Sequence, residues 1–429
     1  MASPPAVTRQ QWKWTALAGM ASYLDAGSIS AVSTGLTLFR EEFGLSQSMV
    51  GLLAALGPNA IGCGIGAFVG GRLGDKLGRK RIYKWDLLVF AAGMLCVALA
   101  VNPPMLMIGT FVAGLAVGAD VPTSLALVGE LAPAKARGKL LGLTQIAWVL
   151  GPSVVLLLAY LLDPLGLLGV RIVFLHLVLA ALITWAMRRG MAESAVWRTA
   201  AETAVTSARR VRALLSGPNL RALAYTGIFY TFWNLAAGTI GSFTPYLVET
   251  LGAGGRDVSI LTTLIGLLFG VPTLLVVMRF IDRGTSARKW MMGIGAVLGV
   301  VSYGMFLITP YGLIAAQLSI VLWAISSKLA GELSYKTFSQ ELFPTMLRGT
   351  AQGLTFGVSR VLLGLWSFVV PVIASGGITG VATALTVFVA ISGVVGFFFM
   401  PDTAGRPLEE IEAERSGVPP QQPQQRSQA

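Results

Sequence analysis

Charge is scarce in this chain. Asp, Glu, Lys and Arg make up 12% of its 429 residues, about half the share of a soluble domain. With a mean hydropathy of +0.71, that scarcity excludes an ordinary water-exposed globule. Cysteine occurs twice, at Cys63 and Cys96, each inside an apolar run. Two thiols so placed build no disulfide framework and read as small packing residues. Histidine occurs once, at His176, and reads as an incidental residue with a local hydrogen bond. No metal-ligand cluster and no nucleophile–base pair stands at a plausible spacing, so neither a cofactor nor an enzyme is expected. Period-two alternation is missing as well, which argues against a β-barrel.

Apolar runs are abundant. The first six are Trp14–Phe39, Met49–Gly70, Leu87–Val101, Met105–Val128, Leu140–Leu162 and Leu167–Met187. The second six are Leu223–Val248, Val258–Met278, Trp290–Ile308, Leu313–Ser339, Leu354–Ser375 and Ile378–Met400. Most are near 20 residues, enough to cross a bilayer at ~1.5 Å per residue. The expectation is an all-α membrane protein with twelve transmembrane helices. The first run exceeds the apolar core of a secretory signal and no small-residue cleavage site follows it, so it reads as a retained helix.

The net charge of +12 could suggest nucleic acid as a partner, but its distribution explains it otherwise. With the twelve spans in place, 26 of the 32 Lys and Arg fall on the side of the chain ends, three fall opposite, and three lie within spans. That asymmetry is the positive-inside signal. It places both termini in the cytoplasm and the chain in the plasma (inner) membrane, with the lipid bilayer and not nucleic acid as its surroundings.

Two loops on the charged side carry one sentence. "GELAPAKARGKLLGL" (Gly129–Leu143) and "QELFPTMLRGTAQGL" (Gln340–Leu354) both read E-L-x-P-x-x-x-R-G-x-x-x-G-L. Arg72-x-x-Asp75-Lys76 likewise returns as Arg279-x-x-Asp282-Arg283. The chain is therefore a duplicated six-helix unit. The expected division is residues 1–188, a cytoplasmic linker over 189–222, a second bundle over 223–400 and a tail over 401–429.

"GGRLGDKLGRKR" (Gly70–Arg81) resembles the cytoplasmic loop signature of the major facilitator superfamily. The paired Glu130…Pro133…Arg137-Gly138 and Glu341…Pro344…Arg348-Gly349 resemble the signature of its sugar porter branch. "ESAVW" (Glu193–Trp197) and "PDTAGRPLEEI" (Pro401–Ile411) resemble that branch's motifs after helices six and twelve. The resemblance implies two pseudo-symmetric bundles that rock about a midplane site. In that frame Asp75, Arg79, Glu130, Arg137, Asp282, Glu341 and Arg348 form latches on the cytoplasmic face. Arg137 and Arg348 would offer planar forks to Glu130 and Glu341.

An ionisable group at mid-bilayer is costly and is a functional candidate by default. Asp25 lies twelve residues past Lys13 and Asp120 ten before Glu130, ~18 and ~15 Å deep. The second half carries Lys328, Glu332, Lys336 and Arg360. Lys328, Glu332 and Lys336 are spaced i, i+4, i+8, which on a continuous helix is one face. Asp25, Asp120 and Glu332 are the candidate proton carriers. Lys328, Lys336 and Arg360, with Gln145, Trp233 and Asn234, are the candidate solute ligands. By resemblance, Asp25 matches the helix-one acid of proton-coupled sugar porters, and "GADVPTS" (Gly118–Ser124) looks like the helix-four motif of phosphate and organic-acid proton symporters. Gln145 matches a sugar-binding Gln of helix five. Where sugar porters carry paired Gln, a later Asn and a helix-ten Trp, this chain has Phe232, Trp233, Gly238 and Lys336.

The expected function is secondary transport by alternating access. It takes the form of proton symport of a small polar metabolite by a functional monomer, leaning to an organic anion because of the basic second half. A sugar or polyol symporter is the alternative. Drug or cation antiport, and nutrient sensing without transport, are weaker readings.

Overall fold

The computed structural model describes residues 8–131, 137–190, 214–215, 217–281, 283–343 and 345–404, with some side chains inside helices left out. Every regular element among them is helical: α1 Arg9–Phe43, α2 Gln47–Leu56, α3 Ile61–Leu77, α4 Arg79–Ala98, α5 Pro103–Leu131, α6 Arg137–Leu161, α7 Leu167–Arg188, α8 Gly217–Thr250, α9 Arg256–Phe280, α10 Thr285–Gly304, α11 Leu313–Leu329, α12 Glu332–Glu341, α13 Thr345–Ala374 and α14 Ile378–Phe398, with 3₁₀ turns at Asp163–Leu165 and Met305–Leu307. Local chemistry sets the ends. Thr8 Oγ1 accepts the Gln11 N–H at 3.2 Å and Gln11 Oε1 accepts the Thr8 N–H at 2.9 Å, a reciprocal cap that starts α1. Gly44, at φ +60°, ends it, a backbone that other residues resist.

α2 with α3, and α11 with α12, each act as one long broken rod, so the segments form twelve spans. Nine helical runs among the described residues are long and apolar enough to cross a membrane. α1 and α8 are more polar because they carry Ser22, Asp25 and Ser28, and Thr226, Thr231 and Asn234, to buried positions. α4 opens on three basic residues and becomes apolar only over Trp85–Ala98. The outer surface is a belt of exposed apolar side chains, among them Leu179, Phe269, Leu275 and Val297. Such a surface is soluble only in lipid.

α1 packs on α5, α6 and α7, and α4 on α5 and α7; in the second half α8 packs on α13 and α14, and α10 on α11 and α14. Across the divide α1 meets α8, α2 and α3 meet α13, and α6 meets α9. Shifting each span by six maps the second of these contacts onto the third, as a duplicated unit requires. Helix α8 begins at Gly217, inside the stretch expected as linker, and residues 191–213 lie outside the described residues.

Small residues let the rods approach. Gly62, Gly66 and Gly70 stand at i, i+4, i+8 on α3 and face α5, the small-xxx-small pattern of membrane helix pairs. A Cβ on Gly66 would sit 2.2 Å from Leu115 O, and one on Gly118 2.0 Å from Cys63 O. Gly118→Val should therefore destabilise the protein by about 1–3 kcal/mol through overpacking, read as a lower melting temperature in detergent. Gly71 has nothing within 4 Å of an added Cβ, and Gly71→Ala should leave that temperature unchanged or higher.

Candidate functional site

Where the halves meet they enclose a cavity of about 150 Å³, far more than the ~10–15 Å³ that one water needs on the same measure. The first half supplies Asn59, Gln145 and Trp148; the second supplies Tyr230, Trp233, Asn234, Trp323, Lys328, Glu332 and Arg360. Three indoles give the walls flat faces. Trp233 stacks on Trp323 at 6.4 Å between centroids and on Tyr230 at 5.8 Å. Trp233 packs this closely because residue 331 is glycine: a Cβ there would fall 2.8 Å from the indole ring. Trp148 Nε1, Trp233 Nε1, Tyr230 Oη and Arg360 Nε are buried without a hydrogen-bond partner among the described residues. Buried donors in this state are rare and call for a ligand or water.

The expected basic face of span ten is interrupted by a helix break, with Lys328 and Glu332 both still walling the cavity. α11 ends at Leu329 and α12 starts at Glu332, so the break at Ala330–Gly331 separates Lys328 from the other two. Lys328 Nζ lies 4.9 Å from the centre of the Trp148 ring, across the cavity, a cation–π contact. Lys336 Nζ pairs with Glu332 at 3.2 Å and is not among the residues walling the cavity. Arg360 Nη1 donates to the main-chain oxygen of Asn59 at 2.9 Å and to its Oδ1. Asp25 is 3% exposed, and its Oδ1 is buried with no partner among the described residues.

Asp120 lies elsewhere. Arg188 Nη1 donates to both its oxygens, at 3.1 and 3.0 Å, and stands 3.8 Å from Asp86. Arg188 Nε and Nη2 donate to Leu17 O at 3.0 and 2.9 Å, and Ser124 donates to Asp120 at 2.6 Å. Arg188, one residue past the apolar run that ends at Met187, is thus 3% exposed. It ties α1, α4, α5 and α7 into one body.

Of the latch expected on the face of the chain ends, the described residues include Glu341. Glu341 accepts from Arg288 at 2.7 and 2.9 Å and from Thr403 at 2.6 Å. Arg288 also donates to Ile281 O at 2.8 Å. Among the described residues the guanidinium on Glu341 is that of Arg288, and the bond stays within the second half. Arg288 follows Arg81 by the same 207 residues that relate Asp282 to Asp75, a spacing that could have found it. Asp282, and the side chains of Asp75, Arg79, Glu130, Arg137 and Arg348, lie outside the described residues.

On the opposite face a cation crosses the divide. Arg256, at the start of α9, pairs with Asp163 at 2.6 Å and donates to Thr34 O at 2.6 Å and Thr37 Oγ1 at 3.1 Å. Sequence reasoning missed Arg256 because a lone loop arginine carries no pattern. It missed Asn59 as well, although Gly57-Pro58-Asn59 in mid-span is a visible helix breaker.

Twelve spans in two halves around one central cavity define a membrane transporter of the alternating-access type. The chain belongs to the Major Facilitator Superfamily, whose family model matches residues 15–367. It is 39% identical over 420 residues to the minor myo-inositol transporter IolF of Bacillus subtilis (strain 168), covering 96% of this chain and 95% of that protein. It is 26% identical to the probable metabolite transport protein CsbC of the same organism, covering 93% and 92%. Among solved structures it resembles the proton:xylose symporter XylE bound to 6-bromo-6-deoxy-D-glucose, with a TM-score of 0.77, 21% identity and coverage of 96% and 100%. The protein is a multi-pass membrane transporter and not an enzyme.

Removing Arg188 should leave Asp86 and Asp120 as buried carboxylates without their cation. Arg188→Gln is expected to cost roughly 3–5 kcal/mol, visible as loss of monodisperse protein on extraction. Adding Asp86→Asn and Asp120→Asn should recover most of it.

Proposed function

We propose that the chain is a proton-coupled symporter of the plasma membrane for a neutral polyhydroxylated solute of the myo-inositol class. One observation carries this reading. The cavity wall offers aromatic faces and unpartnered N–H and O–H groups, while its cations are already engaged. Lys336 is spent on Glu332, Arg360 holds Asn59 and Lys328 rests on Trp148. Each of the three groups that favour an organic anion from sequence already has a partner, and Arg360 keeps one N–H, at Nε, for a solute oxygen. A polyol presents hydroxyls to donors and C–H faces to indoles, so it matches what remains. The 39% identity to a myo-inositol transporter supports the same class.

Gln145, Asn234 and Trp233 read hydroxyls in this account, and Trp148 and Trp323 supply stacking faces. Asp25 carries the proton: its carboxyl is buried, and its Oδ1 has no partner among the described residues. The positive-inside distribution supports cytoplasmic termini. The Arg256 clasp then lies on the external side. The cavity is walled by one chain, and the Arg256 contacts that cross the divide lie within that chain, which supports a functional monomer.

The test is labelled myo-inositol uptake by purified protein in liposomes with an imposed pH gradient. Accumulation should follow the inward proton gradient and compete with other polyols and hexoses. A response to small carboxylates alone would overturn the polyol reading. Asp25→Asn should abolish gradient-driven accumulation and keep exchange of myo-inositol; unchanged accumulation removes Asp25 from coupling. Trp148→Ala should raise the apparent KM about tenfold, the equivalent of ~1.4 kcal/mol of lost stacking and hydrogen bonding.

A further inference from the structure

The break in span ten leaves the start of a helix at the central cavity. α11 ends at Leu329 and α12, ten residues long, begins at Glu332. Between them Ala330 stands at φ −125°, ψ 35° and Gly331 at φ −126°, ψ −141°. The first N–H groups of α12 therefore cannot continue the hydrogen bonding of α11. Those of Ser334 and Tyr335 turn back to Gly331 O at 3.0 and 3.2 Å. Those of Glu332 and Leu333 have no acceptor among the described residues, and no side chain caps the helix at Gly331. Glu332 and Leu333 both wall the cavity.

An indole converges on this start. Trp233 of α8 is 8% exposed, and its Nε1 is buried without a partner among the described residues. A Cβ at residue 331 would fall 2.8 Å from Trp233 Cε2 and from Cζ2, and Cε2 is the carbon bonded to Nε1. The nitrogen edge of the ring thus lies against the residue that caps α12. Stacking on Tyr230 and Trp323 holds the ring in that pose.

The acid that could have filled this corner is turned away from it. Glu332 pairs with Lys336 at 3.2 Å, one turn further along α12, which draws the carboxylate away from its own helix start. Lys328, on the other side of the break, rests on Trp148. The corner presents N–H groups, two from the main chain and one from the indole.

We propose that this corner is a carbonyl subsite, and that the carrier takes cyclic polyols with one ring carbon oxidised to a ketone in preference to the parent polyol. This rests on the neutral-polyol reading above, in which Trp233 donates to a hydroxyl of myo-inositol. A ketone oxygen has two lone pairs and brings no hydrogen, so it accepts from the indole and from a main-chain N–H together. The helix start favours an oxygen that carries negative partial charge. A hydroxyl accepts there as well but must also place its own hydrogen, and the carboxylate beside it is bound to Lys336. A carboxylate solute would sit next to Glu332, a like charge. Buried donors left without an acceptor are costly, so the solute that satisfies both gains over one that satisfies fewer. The remaining ring hydroxyls stay with Gln145 and Asn234.

Competition against labelled myo-inositol uptake in liposomes tests this, with unlabelled myo-inositol, its monoketone (an inosose) and glucose as competitors. In the parent the ketone should compete about three- to tenfold more strongly than myo-inositol, the worth of one added hydrogen bond. Trp233→Phe removes the indole N–H and should bring that ratio close to unity. Leu333→Pro removes a main-chain N–H in the first helical turn, where the helix makes no bond with it. It should lower the ratio several-fold, whereas Leu333→Ala, which keeps the N–H, should hold it. A change in packing alone moves both solutes together and leaves the ratio where it was.

A ketone that competes no better than myo-inositol in the parent overturns the proposal. So does an advantage that survives both Trp233→Phe and Leu333→Pro. Glucose competing as strongly as the ketone assigns the corner to a ring ether oxygen and overturns it as well. If one of the two variants is not recovered as folded protein, the other carries the test. Absence of labelled myo-inositol uptake in the parent sinks the polyol reading, and the melting temperature of the purified protein then decides the corner. A rise with the ketone that Trp233→Phe or Leu333→Pro loses keeps the subsite; no rise sinks it too.

Discussion

A charged side chain in the hydrocarbon interior needs a partner, and the identity of that partner sorts the charges of this protein. Those partnered inside one half build rigid bodies. Arg188 gathers α1, α4, α5 and α7 through Asp120, Asp86 and Leu17 O. Arg288 gathers the second half through Glu341, Thr403 and Ile281 O. Those partnered across the divide are different: Arg256 on Asp163, Arg360 on Asn59, and Lys328 on Trp148. Each of these joins a residue of one half to a residue of the other. Rocking of rigid halves breaks the second kind and spares the first, which is what alternating access demands.

The two helix breaks serve the same division. The one in span two frees Asn59 from its helix and turns it toward α8 and α13. The one in span ten lets Gly331 admit the Trp233 ring and separates Lys328 from Glu332. Broken helices deep in a membrane protein are tolerated where they face a cavity or another protein segment. Both breaks here border the central cavity.

The fold was legible in the sequence because its causes repeat. Twelve apolar runs, a one-sided excess of Lys and Arg and a duplicated acid–Pro–Arg sentence each depend on long stretches of chain. Several individual site residues were legible for the same reason: Asp25, Lys328, Glu332 and Arg360 are conspicuous as charges in apolar runs. Their partners were not. Arg188 sits at the end of an apolar run and looks like loop charge, yet it is buried on Asp120. Spacing i, i+4, i+8 implies a common face only on an unbroken helix, and Ala330–Gly331 does not announce a break. The organic-anion expectation came from counting charges without knowing which were already paired. With Lys336 on Glu332 and Arg360 on Asn59, the charge count alone no longer argues for an anion, and the proposal of a neutral solute rests on that pairing.

The most direct test of that account is the charge moved per transport event. Proteoliposomes adsorbed on a capacitive support report it as a transient current when solute is added. A neutral polyol carried with a proton moves net positive charge, so myo-inositol should give an inward positive current that disappears in Asp25→Asn. A small carboxylate carried with one proton moves none. Transport of myo-inositol without current, or proton-coupled uptake of a carboxylate with no response to polyols, would contradict the account.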